Sequence, residues 1–132
     1  MAGKSRSPWF AFLGLLFGSF TVIEALAFQI PAMPVLTKEF GIPVAISGLI
    51  SLFYYLGHTV FGPVFGNIAD QIGRKRMILI GMSIFAISEF AAALSTSFPF
   101  FLTARLLQGV GAACVIPAGL AYATYLFPSE RR

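Results

Sequence analysis

Charged residues are scarce in this chain. Only 11% of the 132 residues are charged, whereas 58% are hydrophobic and 15 residues are Phe. The mean hydropathy is accordingly high, at +0.86. A soluble domain of this length could not bury so much apolar surface, so the composition excludes an ordinary soluble fold and indicates a membrane protein.

Cysteine and histidine are also nearly missing. The chain has one of each, Cys114 and His58. A single cysteine excludes an intrachain disulfide, and the sequence has no Cys/His cluster with metal-ligand spacing. It has no Ser/His/Asp set and no phosphate-binding loop of the G-x-x-x-x-G-K-[ST] type. We therefore predict that the chain is not an enzyme and that it needs no cofactor or metal.

Four long apolar runs dominate what is present. They cover residues 9–30, 44–65, 77–95 and 98–126. At about 1.5 Å per residue, each is long enough for a hydrocarbon layer of roughly 30 Å. None alternates with a period of two, and only helices satisfy the backbone of such segments in lipid. The sequence therefore predicts an all-α polytopic membrane protein, with residues 1–132 forming one partial transmembrane domain of four helices.

The first run has a second interpretation. Residues 25–27, Ala-Leu-Ala, also fit the cleavage site of a signal peptide. Glu24 stands beside that site, however, and the apolar run continues through Phe28 and Ile30, which favours a retained helix.

The basic residues indicate how the helices are oriented. Seven lie on one side of the predicted bundle and one, Lys38, on the other. The seven are Lys4, Arg6, Arg74, Lys75, Arg76, Arg131 and Arg132. By the positive-inside rule, both termini and segment 66–76 are cytoplasmic and the chain lies in the cell (inner or plasma) membrane. Because these bases cluster at helix ends and not along one face, the net charge of +4 does not indicate a nucleic-acid partner.

Segment 66–76 reads GNIADQIGRKR and carries a family pattern. The matching positions are Gly66, Asp70, Gly73, Arg74 and Lys75. This segment resembles the loop signature of the major facilitator superfamily, from which it departs at Ile68 and Gln71. The resemblance implies a cytoplasmic latch that favours the outward-facing state. An ordinary positive-inside anchor is the alternative.

A second pattern lies in the last apolar run. Arg105 is followed by Gln108-Gly109 and then by the small residues Gly111 and Ala113. This arrangement resembles that of the proton-coupled drug antiporter branch of the same superfamily. The resemblance covers the whole chain and implies the first four helices of a carrier, so we expect an N-terminal fragment. The implied partners are the lipid bilayer, protons, a small-molecule substrate and the remaining helices of the full-length carrier.

Charges inside membrane helices are costly and therefore point to function. Glu24, Glu89 and Arg105 lie at similar depths from the same side, about 9–10 Å by the helical rise. We hypothesise that Glu24 and Arg105, with Gln108, form a coupling or substrate-contact site. Helices one and four line the cavity in the family, so Glu89 on helix three is a secondary candidate. His58 is another, because imidazole titrates near neutral pH.

The favoured function is efflux of small organic molecules or drugs in exchange for protons. One alternative is a sugar or organic-anion proton symporter, in which Arg105 binds the substrate directly. An alternative of another class is a non-transporting membrane protein that acts as a structural or regulatory partner. Small residues also repeat at four-residue spacing in Gly14/Gly18, Gly62/Gly66 and Gly109/Ala113, which predicts close helix packing.

Overall fold

The computed structural model of the chain describes residue 16, residues 18–23 and residues 27–126, without the side chains of 120–126. Residues 18–23 are helical. They are followed by α1 (Gln29–Phe40), α2 (Val44–Ile72), α3 (Arg74–Ala93) and α4 (Phe98–Leu126). No strand occurs in this part of the chain. Three stretches, Val44–Ile72, Arg74–Ala93 and Phe98–Gly119, are long and apolar enough to cross a membrane. The all-α polytopic fold is thus confirmed, whereas half of the predicted first helix, 9–30, lies outside the described residues.

Helix α1 extends further than the predicted first helix. The predicted first helix ended at residue 30, yet α1 continues through Pro34 to Phe40. It ends at Gly41, whose φ of 62° and ψ of 31° place it in the left-handed region. The Gly41 N–H bonds to Lys38 O and the Ile42 N–H to Thr37 O, at 3.4 and 3.0 Å. This pair of bonds is a Schellman motif, and it satisfies carbonyls that the end of the helix would leave unpaired.

The predicted loop 66–76 is mostly helical. Helix α2 continues to Ile72 and α3 begins at Arg74, so Gly73 alone separates them. Gly73 has a φ of 96° and a ψ of 130°, a conformation that a residue with a Cβ rarely adopts. Gly66, the first residue of the predicted loop, lies within α2, and no atom of another element lies within 4 Å of its Cβ position. The predicted loop was therefore wrong at Gly66, since the single residue Gly73 suffices to reverse the chain.

Helix α4 is the centre of the described bundle. In its spanning stretch 61% of the residues are buried, against 22% in α2 and in α3. It packs against α2 on one side, where Gly57 faces Gly109, and against α3 on the other, where Gly81 faces Gly111. Glycine at each crossing lets the two backbones approach closely. The function-related residues of α4 are therefore held between two neighbouring helices.

Candidate functional site

Three polar side chains meet where α3 and α4 cross. Arg105 and Gln108 lie one turn apart on α4, and both are buried, with 7% and 0% of their surface exposed. Arg105 Nη1 donates to Gln108 Oε1 at 2.7 Å, and Gln108 Nε2 donates to Glu89 Oε2 on α3. The amide thus accepts a hydrogen bond from a cation and donates one to a carboxylate, which is the orientation that satisfies both partners. We call Glu89, Gln108 and Arg105 the polar triad.

Arg105 is held by more than the amide. Its guanidinium lies 5.3 Å from the centre of the Phe101 ring, one turn earlier on α4. A cation over an aromatic face is favourable, by about 0.5–1 kcal/mol at exposed sites and more where water is excluded. Arg105 Nε is buried and has no hydrogen-bond partner among the described residues. The guanidinium therefore keeps one donor that none of these residues satisfies.

A polar cavity lies beside the triad. It has a volume of about 280 Å³ and is formed by α1, by α4 and by the end of α3. Its lining comprises Leu36, Glu39, Phe40, Glu89, Ala92, Ala93, Ser95, Phe101 and Arg105. Since α3 runs from Arg74 to Ala93, this cavity lies at the end of the bundle opposite the basic residues 74–76. Two members of the triad, Glu89 and Arg105, thus line a space large enough for several water molecules.

The structure brings together only part of the predicted site. Arg105 and Gln108 are joined as the sequence hypothesis required, but Glu24 lies outside the described residues. The described carboxylate bonded to this pair is instead Glu89, which was ranked second. A signal for this contact was present in the sequence, because Glu89 and Arg105 lie at equal depth on consecutive antiparallel helices.

Tyr54 and His58 lie on the α2 side of α4. Tyr54 is buried against Phe85 and Ala112, and its backbone lies against Gly109, the residue that follows Gln108. Its hydroxyl has no hydrogen-bond partner in the described part of the chain, nor has the buried Nε2 of His58 one turn further on. Tyr54 therefore belongs to the surroundings of the triad, whereas His58 is not among its hydrogen-bonded members.

The family-like segment at the opposite end contains one ion pair. Arg74 Nη2 lies 3.4 Å from Asp70 Oδ1, and both side chains are accessible, at 37% and 66%. Asp70 also lies next to the N-terminus of α3, where the helix dipole favours a negative charge. Lys75, which directly follows Arg74, is also exposed. This end of the bundle is therefore charged and open, in contrast to the buried triad.

Comparison with known proteins agrees with these features. The sequence model of the Major Facilitator Superfamily matches residues 11–132. The chain belongs to this superfamily. Together with its apolar spanning helices, this membership makes it an integral membrane protein.

Individual relatives are similar along nearly the whole chain. The quinolone resistance protein NorA of Staphylococcus aureus is 29% identical over 118 residues, which cover 89% of this chain and 30% of the relative. An MFS-type transporter of Mycobacterium tuberculosis is 31% identical over an alignment of 133 positions, which covers 99% of this chain and 23% of the relative. The chain thus spans less than a third of the length of these relatives.

Proposed function

We propose that this chain forms part of a secondary active transporter that exports small organic molecules in exchange for protons. The observation that carries the proposal is the polar triad, a carboxylate, an amide and a guanidinium joined on two membrane-spanning helices. The complete carrier would add the remaining helices, and exposed apolar residues such as Ile87, Phe90 and Leu94 offer surface to them or to lipid.

The triad supports proton coupling because it joins a protonatable group to a helix contact. When Glu89 is ionised, it accepts the Gln108 amide as a charged partner, and Arg105 stabilises its charge through that amide. A proton on Glu89 turns this into a neutral hydrogen bond, which is roughly half as strong. Proton binding therefore weakens one contact between α3 and α4, which is the kind of change that alternating access requires.

The substrate class rests on the relatives and on the cavity. NorA is named a quinolone resistance protein, which is consistent with transport of small organic molecules. The cavity beside the triad combines Phe40, Phe101 and Leu36 with charged groups, and such mixed linings suit organic ligands. Glu24 stays our sequence-based candidate for a second acid near Arg105.

One alternative has an observation in its favour. Arg105 lines the cavity and carries a positive charge, so its guanidinium can attract an anionic or hydroxylated substrate. In a sugar or organic-anion symporter, Arg105 would bind substrate directly. The two functions differ in direction, because an antiporter moves substrate against the proton flow and a symporter moves it with the flow.

We further propose that residues 66–76 face the cytoplasm of the cell membrane and act as a latch. The Asp70–Arg74 pair and the single-residue turn at Gly73 place two charges on the last turn of α2 and the first turn of α3. Arg74 and Lys75 would then contact carboxylates of the remaining helices in one state of the carrier.

The decisive experiment replaces Glu89 with Gln in the complete carrier. The substituted amide oxygen still accepts the Gln108 N–H, so the packing is retained while the titrating proton is lost. We expect substrate uptake into inverted vesicles to stop responding to an imposed pH gradient, while exchange at equal pH continues. Glu24→Gln is the parallel variant that tests the sequence-based candidate.

Either result assigns a role to Glu89. If Glu89→Gln responds to the pH gradient as the parent does, the triad is a structural contact and the proposal fails for Glu89. If substrate moves in the same direction as protons in the parent protein, the symporter alternative replaces the antiporter.

A further inference from the structure

The cavity beside the triad has a charge that the triad does not explain. Its lining contains two carboxylates, Glu39 and Glu89, and one guanidinium, Arg105, so its formal charge is −2 + 1 = −1. Arg105 and Glu89 are already linked through Gln108. Glu39, on the last turn of α1, has no hydrogen-bond or ion-pair partner among the described residues.

We propose that this cavity is a cation-selective vestibule, through which hydrated cations, hydronium among them, reach Glu89 from the end of the bundle opposite Arg74. Glu39 is the residue that sets its selectivity. The part of the inference that concerns proton supply to Glu89 rests on the proposed function. The charge selectivity itself follows from the lining alone.

Three features of the cavity support this role. A volume of about 280 Å³ leaves room for several water molecules. Arg105 lines the cavity but is only 7% exposed and is linked through Gln108 to Glu89, so Glu39 is the carboxylate of the lining that no such link compensates. Lys38 is exposed on the same turn of α1 as Glu39 but does not line the cavity, so it does not cancel the carboxylate there.

The test measures the reaction of a cavity cysteine with charged reagents. Ser95 lines the cavity, and Ser95→Cys in the complete carrier introduces a thiol of similar size. The control is Ser97→Cys, an exposed position in the same turn that is not part of the lining. Native Cys114 is 1% exposed, so the parent protein supplies the background rate. The probes are a trimethylammonium methanethiosulfonate and a sulfonate methanethiosulfonate.

The measured quantity is the ratio of the cationic to the anionic labelling rate. We expect this ratio to be about 5–10-fold higher at position 95 than at position 97, because a nearby negative charge attracts one reagent and repels the other. In Glu39→Gln the ratio of cationic to anionic labelling at position 95 should fall to that at position 97. In Lys38→Gln the ratio at position 95 should stay unchanged. Sodium chloride and choline chloride at equal concentration should reduce the ratio at position 95 equally, because screening depends on ionic strength.

Several outcomes would overturn the inference. These are equal ratios at positions 95 and 97, no effect of Glu39→Gln, or no labelling at position 95. If position 95 is not labelled, Ala93→Cys, at another residue of the lining, tests whether the cavity as a whole is inaccessible to the reagents. Protection by sodium but not choline would replace the vestibule with a bound sodium site. Because labelling needs no transport, a selective vestibule with unaltered coupling in Glu89→Gln would refute only the proposed function.

Discussion

The crossing of α2 and α4 leaves no room for a side chain at Gly57. A Cβ at this position would lie 3.1 Å from Val110 N and 3.3 Å from Gly109 C, with Leu106 O closer still. All three obstructing atoms are backbone atoms, so none can rotate away. Gly57→Ala therefore requires the two helices to move apart by about 1 Å to regain ordinary contact distances.

Gly62, further along α2, is the matched control. No atom lies within 4 Å of its Cβ position. Replacing an interior helical glycine with Ala gains up to about 1 kcal/mol in helix propensity. Because both glycines lie inside the same helix, this gain cancels when the two alanine variants are compared. What remains is the cost of overpacking, which is typically about 1–3 kcal/mol and should lie near the top of that range against backbone atoms.

The assay is unfolding of the complete carrier in mixed micelles with increasing dodecyl sulfate. We expect Gly57→Ala to unfold earlier than the parent and Gly62→Ala to unfold at the same point or later. Equal unfolding of the two variants would show that the helices are not held at this distance. The close backbone approach in the structure would then be wrong.

Further predictions concern the turns, the exposed ion pair, the triad and the cavity. Gly73→Asn should destabilise the carrier by about 1–3 kcal/mol because Asn does not readily adopt a φ of 96° with a ψ of 130°. Gly41→Asn should be tolerated, since its φ of 62° and ψ of 31° suit Asn; equal unfolding points for these two variants would contradict the argument. Asp70→Asn should cost at most about 0.5 kcal/mol, as for other exposed pairs at i,i+4, yet alter transport if the latch exists. Unchanged transport would favour the simple positive-inside anchor. Glu89→Gln should uncouple transport from the pH gradient, and Glu39→Gln should abolish cation preference in the cavity, as measured by vesicle uptake and by thiol labelling.

The membrane class and the spanning helices could be predicted from the sequence alone. An apolar run long enough to cross lipid must satisfy its backbone internally, so helix formation does not depend on which neighbours it meets. The starts of α2 at Val44 and of α4 at Phe98 agree with the predicted ones for this reason. The family followed from two short patterns, around Asp70 and around Arg105, and the comparison with known proteins confirmed it.

The ends of the helices were harder to predict from the sequence than the helices themselves. Proline and glycine often mark a helix end or a turn, yet Pro34 and Gly66 both lie inside helices. A proline inside a helix removes one backbone hydrogen bond without having to end the helix, and a glycine ends a helix only where the chain must adopt a positive φ. Gly73 meets that condition and Gly66 does not.

Which carboxylate faces Arg105 was decided by tertiary structure. Pairing in a bundle depends on the rotation of each helix about its axis, and the weak amphipathic pattern of an almost wholly apolar helix does not specify that rotation. The glycine contacts of α4 with α2 and α3 set it here, and they bring Gln108 to Glu89. The sequence by itself thus determined that this protein spans a membrane with charges at a common depth. Only the packing of α3 on α4 decided that Glu89, Gln108 and Arg105 form one site, because close backbone contacts fix helix rotation where hydrophobicity cannot.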